Sequence, residues 1–489
     1  MRERYAELPT RRRWVLVAVV AAVSVLLVTV LVIRHLAGGA RADAPAAAAP
    51  VFDPPATFDG TAVPLPRDAD ADPLPGVLYG FDVFLALPGG LRVVDTRTGD
   101  VLTQLQPIGP LTGAASAAGT GTAAGAGAAA GTGTAAGTAA GTGAGTAAGT
   151  GTGTAAGTGT GTAAGTGTGT GIEAEAELTD VPPGAPVLAT LAGRPVVVAA
   201  FPVSVAGHGT TLGHDAVQLL VVDAGSHAVV AGARIDLPVS LTGDSALRAA
   251  LPVGIGAGVA VVSLQLGPAR TPASYGVDLS AGRLAWQQPG LEAATIVADL
   301  VVGARAVAQD RYRVAAVGVQ DGQPVWTAKG GEALTAQVWA AGPALVAVST
   351  ADAGTGVRSL ALLDAGTGVL RSTEPGQGGV TCRFDQQTTT VCYQSLAGQA
   401  WAAGYDATTG RRLWQLPDAA AGRIAPRVST AWHGVVYGST DNGTVALDAR
   451  TGADRPQPPG VAPDLVNGYV GIVAATGTRP RAAAHLATS

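Results

Sequence analysis

From Gly76 onward, apolar residues come in short runs cut off by turn residues. Examples are Val77-Leu78-Tyr79, Val83-Phe84-Leu85-Ala86-Leu87, Val196-Val197-Val198-Ala199, Val217-Gln218-Leu219-Leu220-Val221-Val222, Val259-Ala260-Val261-Val262, Ala344-Leu345-Val346-Ala347-Val348 and Gly434-Val435-Val436-Tyr437. Runs of this length with no spacing of three and four residues predict β-strands, and no amphipathic helical pattern competes with them.

The punctuation between the runs repeats seven times: an apolar residue, usually an Asp, about three variable residues, then Gly, often with a large apolar residue after it. The clearest copies are Val94-Asp95-Thr96-Arg97-Thr98-Gly99, Tyr405-Asp406-Ala407-Thr408-Thr409-Gly410-Arg411-Arg412-Leu413-Trp414 and Leu447-Asp448-Ala449-Arg450-Thr451-Gly452. Weaker copies run from Asp278 to Gly282 with Trp286, from Gly318 to Gly322 with Trp326, and from Asp364 to Gly368, and a degenerate one stands at Asp223-Ala224-Gly225. From Asp278 through Gly318, Asp364 and Asp406 to Asp448 the markers are spaced by 40, 46, 42 and 42 residues. Each copy predicts a hairpin turn in which Asp accepts a hydrogen bond from the backbone two residues on and Gly takes a positive φ. The Trp eight residues after the marker is predicted to dock between neighbouring sheets. Trp286, Trp326 and Trp414 hold that place, and Thr103, Ala231, Ser372 and Pro456 stand there in other copies.

A period near 42 with four short strands per repeat is propeller spacing. The fold expected is an all-β, seven-bladed propeller with an eighth blade as the alternative, preceded by one transmembrane helix. The tail Leu465 to Val473 either completes the first blade or begins that eighth one.

The N-terminal region has a different pattern. Trp14 to Ile33 gives 20 consecutive uncharged residues, long enough as a helix to span the roughly 30 Å hydrocarbon core. Arg2, Arg4, Arg11, Arg12 and Arg13 precede it, against Arg34 and Arg41 after it, which keeps residues 1–13 in the cytoplasm and places the remainder outside. A cleaved signal peptide, with Ala40-Arg41-Ala42 as the peptidase site, is the competing reading. Residues 34–75 are rich in Ala, Pro and Asp and read as a disordered stalk. The propeller then occupies 76–112 and 172–489, interrupted by residues 113–171, a tract built almost wholly of Gly, Thr and Ala. Side chains that small bury too little apolar surface to offset the cost of ordering, so the tract is expected to be a flexible surface insert.

Cys382 and Cys392 flank a polar turn between two strand-like ends, where facing hairpin positions come close enough for a disulfide. Two buried free thiols are the alternative. Charged residues make up 13% of the chain and the net charge is −5, without the clustered basic face that nucleic acid requires. The chain has a single lysine, Lys329, and its bias toward Ala, Gly, Val, Pro and Arg resembles GC-rich actinobacterial coding.

Other candidate chemistry is thin. His208 and His214 flank a Gly/Thr loop that ends in Asp215, which reads as a solvated loop before it reads as a metal site. His433 after Trp432 suggests packing, and Asp215, Asp244, Asp310 and Asp441 are isolated carboxylates. Gly254-Ile255-Gly256-Ala257-Gly258 lacks the lysine and the following helix of a phosphate loop.

The pattern apolar-Asp-Ala-x-Thr-Gly-x-x-x-Trp, nearly intact from Tyr405 to Trp414, resembles the blade repeat of the pyrroloquinoline-quinone-like, or quinoprotein-like, β-propellers. That superfamily holds both quinone-dependent dehydrogenases and a non-enzymatic lipoprotein subunit of outer-membrane assembly machinery, so the resemblance implies fold more than function. Its enzymes hold their cofactor beside a disulfide between adjacent cysteines and coordinate calcium through Glu, Asn and Asp. This chain has no adjacent cysteines, and its marker Asp residues have a structural explanation. The expectation is a membrane-anchored, extracytoplasmic, non-catalytic binding or assembly module with no cofactor and a protein partner at the cell surface. A quinone- or metal-dependent oxidoreductase is the alternative.

Overall fold

A computed structural model describes residues 51–66, 74–107, 176–237, 247–267, 270–377, 379–394, 400–474 and 481–488. The expected cytoplasmic tail, the membrane segment Trp14 to Ile33 and the tract 113–171 lie outside the described residues. Among the described residues no helix is long and apolar enough to cross a membrane. All the architecture below belongs to the unit Phe52–Ser489.

The strands form antiparallel meanders, lettered here in chain order. Meander A contains Gly76–Tyr79, Asp82–Leu87, Gly90–Asp95 and Val101–Leu105. B contains Val187–Leu191, Arg194–Val205, His214–Asp223 and Val229–Asp236, with Ala176–Leu178 paired to the far half of its long second strand. C contains Leu247–Gly256, Val259–Leu266, Thr271–Asp278 and Arg283–Pro289. D (Leu291–Val297, Leu300–Ala308, Arg311–Gly318, Pro324–Thr327) and E (Ala333–Ala340, Leu345–Asp352, Arg358–Asp364, Leu370–Pro375) are joined into one eight-stranded sheet by the pairing of Tyr312 with Ala333. F contains Thr381–Phe384, Thr389–Gln394, Trp401–Asp406 and Arg412–Leu416, and G contains Arg427–Trp432, Val435–Thr440 and Gly443–Asp448. H is built from Leu465–Val466, Val470–Val473 and Ala483–Leu486, and its outer strand is Val63–Pro64 from the other end of the chain.

Each meander stacks face to face on the next. Phe84 and Val93 of A meet Val197 and Leu220 of B, while Val198 and Leu219 on the opposite face of B meet Val262 and Leu264 of C. The alternation continues: Val261 of C packs on Val301 of D, Val302 of D on Val346 of E, and Ala347 of E on Ala403 of F. Val391 of F then packs on Val436 of G, and Val435 of G on Ala487 beyond the last strand of H. Val470 and Ile472 of H return to Val83 and Leu85 of A. The circle of stacked sheets is a β-propeller. Successive residues of a strand point to opposite faces and both faces are covered, which is why the inner strands read as continuous apolar runs.

One sequence expectation needs correction. Residues 34–75 were expected to be a stalk, yet Phe58 and Leu65 are buried and Val63–Pro64 pairs with Ala483 and Ala484. The ring of Phe58 meets Tyr437 edge-on, and the Tyr437 hydroxyl donates to the Pro55 carbonyl at 3.0 Å. A few apolar anchors in a polar, proline-rich segment are enough to dock it, because the last sheet lacks an outer strand and the segment supplies one. The tail Leu465 to Val473 pairs within H and stacks on A without joining A's hydrogen-bond ladder.

Candidate functional site

The repeated turns follow the third strand of meanders A to G and in A to F lead into the fourth. The amide of the closing glycine donates to the marker carbonyl: Gly99 to Asp95 at 2.7 Å, and Gly322 to Gly318, Gly368 to Asp364, Gly410 to Asp406 and Gly452 to Asp448 at 2.8 Å each. The marker carboxylate caps the turn as well. Asp406 Oδ1 accepts from the amides of Thr408 and Thr409 at 3.2 and 2.9 Å, Asp448 Oδ1 from Arg450 and Thr451 at 3.1 and 2.8 Å, and Asp278 Oδ1 from Ser280 and Ala281 at 2.9 and 3.1 Å. In D, where Gly318 holds the marker place, Asp321 provides the carboxylate and accepts from the Gln323 amide at 3.0 Å. In B the positive φ falls on His227, at 59°, and not on the Gly225 that the sequence suggests. His227 is held there by Asp82 of A at 2.8 Å and by edge contact with Phe84.

Each docking tryptophan reaches the next meander's turn. The indole N–H donates to the carbonyl just after that turn's marker: Trp286 to Val319 at 2.7 Å, Trp326 to Ala365 at 2.8 Å and Trp414 to Ala449 at 2.7 Å. Two glycines make room for the ring. A Cβ on Gly276 or Gly404, directly across the ladder from Trp286 and Trp414, would fall 2.1–2.2 Å from the indole. A Cβ on the next turn's glycine would fall 2.8 Å (Gly322), 2.6 Å (Gly368) or 2.6 Å (Gly452) from the ring. Sequence reasoning located the tryptophans but missed this glycine on the third strand. Its signal is present as Gly two residues before the marker in C and F, and D has Ala316 there.

These hydrogen bonds hold several marker carboxyls below their ordinary value. Arg97 does so for Asp95, the Ser280 hydroxyl for Asp278, Arg371 for Asp364 and the Thr409 amide for Asp406. A carboxyl whose folded pKa lies below its unfolded one stabilises the fold above the unfolded value near 3.8 and loses that contribution as pH falls through the folded value. The melting temperature is therefore expected to hold from about pH 7 to about pH 5 and to drop below about pH 4. A pH series of thermal melts checks this, and a drop beginning near pH 6 would contradict it.

Sites outside the repeat are scattered. His208 closes a short backbone turn with Thr211, His214 Nε2 lies 3.2 Å from Asp236, and Asp215 carries the Leu237 amide on its carbonyl. His433 stacks on Trp432 at 3.7 Å between ring centres and pairs with Asp53. Asp310 sits in a turn with φ 53°, Asp441 pairs with Arg427, and Asp244 lies outside the described residues. Among the described residues no group of three or more His, Cys, Asp or Glu could hold a metal ion. Cys382 and Cys392 face each other in the first hairpin of F and are joined as a disulfide.

A concavity opens beside the turns of B, C and D. It has a volume of about 580 Å³ and is lined by Leu191, Val230 and Ala231 of B, Gly258, Leu279 and Ser280 of C, and Gln320 of D. Its lining combines these aliphatic side chains with the polar groups of Asp278, Ser280 and Gln320.

No family model and no curated protein matches the chain. Among solved structures the chain is similar to BamB from Moraxella catarrhalis, at 13% identity over 65% of this chain and 99% of that one, with a TM-score of 0.35. It is also similar to the dihydro-heme d1 dehydrogenase NirN, at 12% identity over 85% and 76% with a TM-score of 0.42. A third similar structure is the β-propeller domain of the Trilobed protease from Pyrococcus furiosus, at 12% over 62% and 96% with a TM-score of 0.32.

Proposed function

We propose that this chain is a membrane-anchored, extracytoplasmic β-propeller of eight blades, meanders A to H, which acts as a non-catalytic binding or assembly module for a protein partner. The observation that carries the reading is where polar and apolar groups go. The repeat's carboxylates and indoles are occupied in building the ring, while apolar side chains stand exposed on its outermost strands. Val101, Leu284 and Leu370 occupy the same register position in A, C and E, each opposite the apolar residue before the marker, and are 48%, 42% and 54% exposed. Outer strands with a free edge and an apolar face suit addition of a partner's strand.

The anchor reading rests on the arginine asymmetry around Trp14 to Ile33. Protease added to intact cells is expected to remove an epitope fused after Ser489, and an epitope that survives until the cells are lysed would overturn the topology. Added pyrroloquinoline quinone and calcium are expected to leave the melting temperature unchanged. A saturable rise would favour the oxidoreductase instead.

A further inference from the structure

We infer that the cavity between meanders B and C is a tryptophan slot that the chain leaves unfilled, and that it binds a ligand carrying an indole ring. Trp286, Trp326 and Trp414 fill the corresponding spaces between C and D, D and E, and F and G. The residue of B in the same position, eight after its marker, is Ala231, and Ala231 lines the cavity.

The opposite wall has kept the form that receives an indole. In C, Leu279 follows the marker Asp278, so its carbonyl corresponds to the Val319, Ala365 and Ala449 carbonyls that accept indole N–H groups elsewhere. Gly282 closes that turn with φ +61°, but the nearest atom to a Cβ built there is the Gly232 carbonyl oxygen at 4.0 Å. At Gly322, Gly368 and Gly452 the same construction runs into an indole at 2.6–2.8 Å. The landing surface for a ring is present without the ring.

In E and A, two other copies that lack the tryptophan, the contacts at this place are different. Ser372 in E donates to the Gly410 carbonyl at 2.7 Å, and Arg371 Cβ is the nearest contact of that glycine. Between A and B, His227 in the turn of B pairs with Asp82 of A and meets Phe84 of A edge-on. Between B and C, Val221 stands across the ladder from Ala231, where C and F have glycine, and it is buried with Val196 against Leu191, Ile255 and Leu279, behind the part of Ala231 that lines the cavity. Aliphatic side chains, a backbone acceptor and the polar groups of Asp278, Ser280 and Gln320 suit a flat aromatic ring with one N–H donor. The site stands whether or not the domain is anchored to a membrane.

Ligand-observed fluorine NMR of 5-fluoroindole against the full chain tests this. The resonance is expected to broaden and shift saturably, with a midpoint at about 1 mM or below. Ala231→Leu, which fills the slot with a side chain that strands tolerate, should weaken binding at least about tenfold while the protein still melts cooperatively. Competition separates the two sources of an indole. Displacement by N-acetyl-tryptophanamide supports a tryptophan side chain from a polypeptide, and failure to displace supports a free indole compound. A second readout needs no ligand: Val221→Gly should lower the melting temperature, and adding Ala231→Trp should recover it by restoring the pattern of C. Absence of saturable binding, binding unchanged in Ala231→Leu, or no recovery in the double variant would each overturn the inference.

Discussion

Trp286→Ala is expected to lower the free energy of unfolding by about 3–5 kcal/mol. The ring is 6% exposed, donates to the Val319 carbonyl and covers Gly322, so its removal leaves a void and an acceptor without its donor between C and D. Gly276→Ala should also be strongly destabilising in the native background, because the new Cβ would lie 2.1 Å from Trp286 Cε2 and the ring would have to move. Combining the two changes reverses the sign. Once the indole is gone, a methyl at position 276 enters space the ring occupied and limits the unfolded chain, a gain of about 0.4–1 kcal/mol for a compatible Gly→Ala site. Urea unfolding of the four proteins forms a double-mutant cycle with a coupling of about 1–3 kcal/mol. Simple additivity would show that the two residues do not touch.

The same pair shows what the sequence discloses and what it hides. Trp286, Trp326 and Trp414 stood out because each follows its marker at a fixed distance, and the marker recurs near the length of one blade. Gly276 and Gly404 did not, since a lone glycine in a strand is ambiguous until the ring above it is seen. Asp352 was passed over for another reason. Its carboxylate accepts from the amides of Gly354 and Thr355 at 3.0 and 2.8 Å, the same geometry as the marker turns, but it lies 12 residues before Asp364 and so out of period. Asp385, buried and accepting three amides at 2.9 Å, has no glycine after it, and Gln386 takes the positive φ at 66°.

Closure of the ring was the least legible part of the fold. Val63–Pro64 is two residues long inside a segment whose composition argues against order, and its partner strand comes more than 400 residues later. Local pattern carries no information about such a pairing. The cavity beside Ala231 was half legible: the missing tryptophan could be read, but whether neighbouring side chains close the gap depends on packing that differs at Thr103, Ala231 and Ser372.

Replacing both Cys382 and Cys392 by alanine is expected to lower the unfolding free energy by about 2–3 kcal/mol. The bridge spans 10 residues of sequence, and in the chain-entropy account a loop of that size restricts the unfolded chain by about this amount. Location adds to the cost. Both sulfurs lie in the apolar cluster between E and F with Leu360, Trp401 and Tyr405, so alanine also leaves a void beside two large rings. Urea unfolding without reductant measures the loss, and treating the native protein with dithiothreitol should reproduce most of it while leaving the double variant unchanged. If reductant destabilised both proteins equally, the effect would not come from this bridge. If the double variant matched the native protein, the facing hairpin strands would already restrict the unfolded chain as much as the covalent link does.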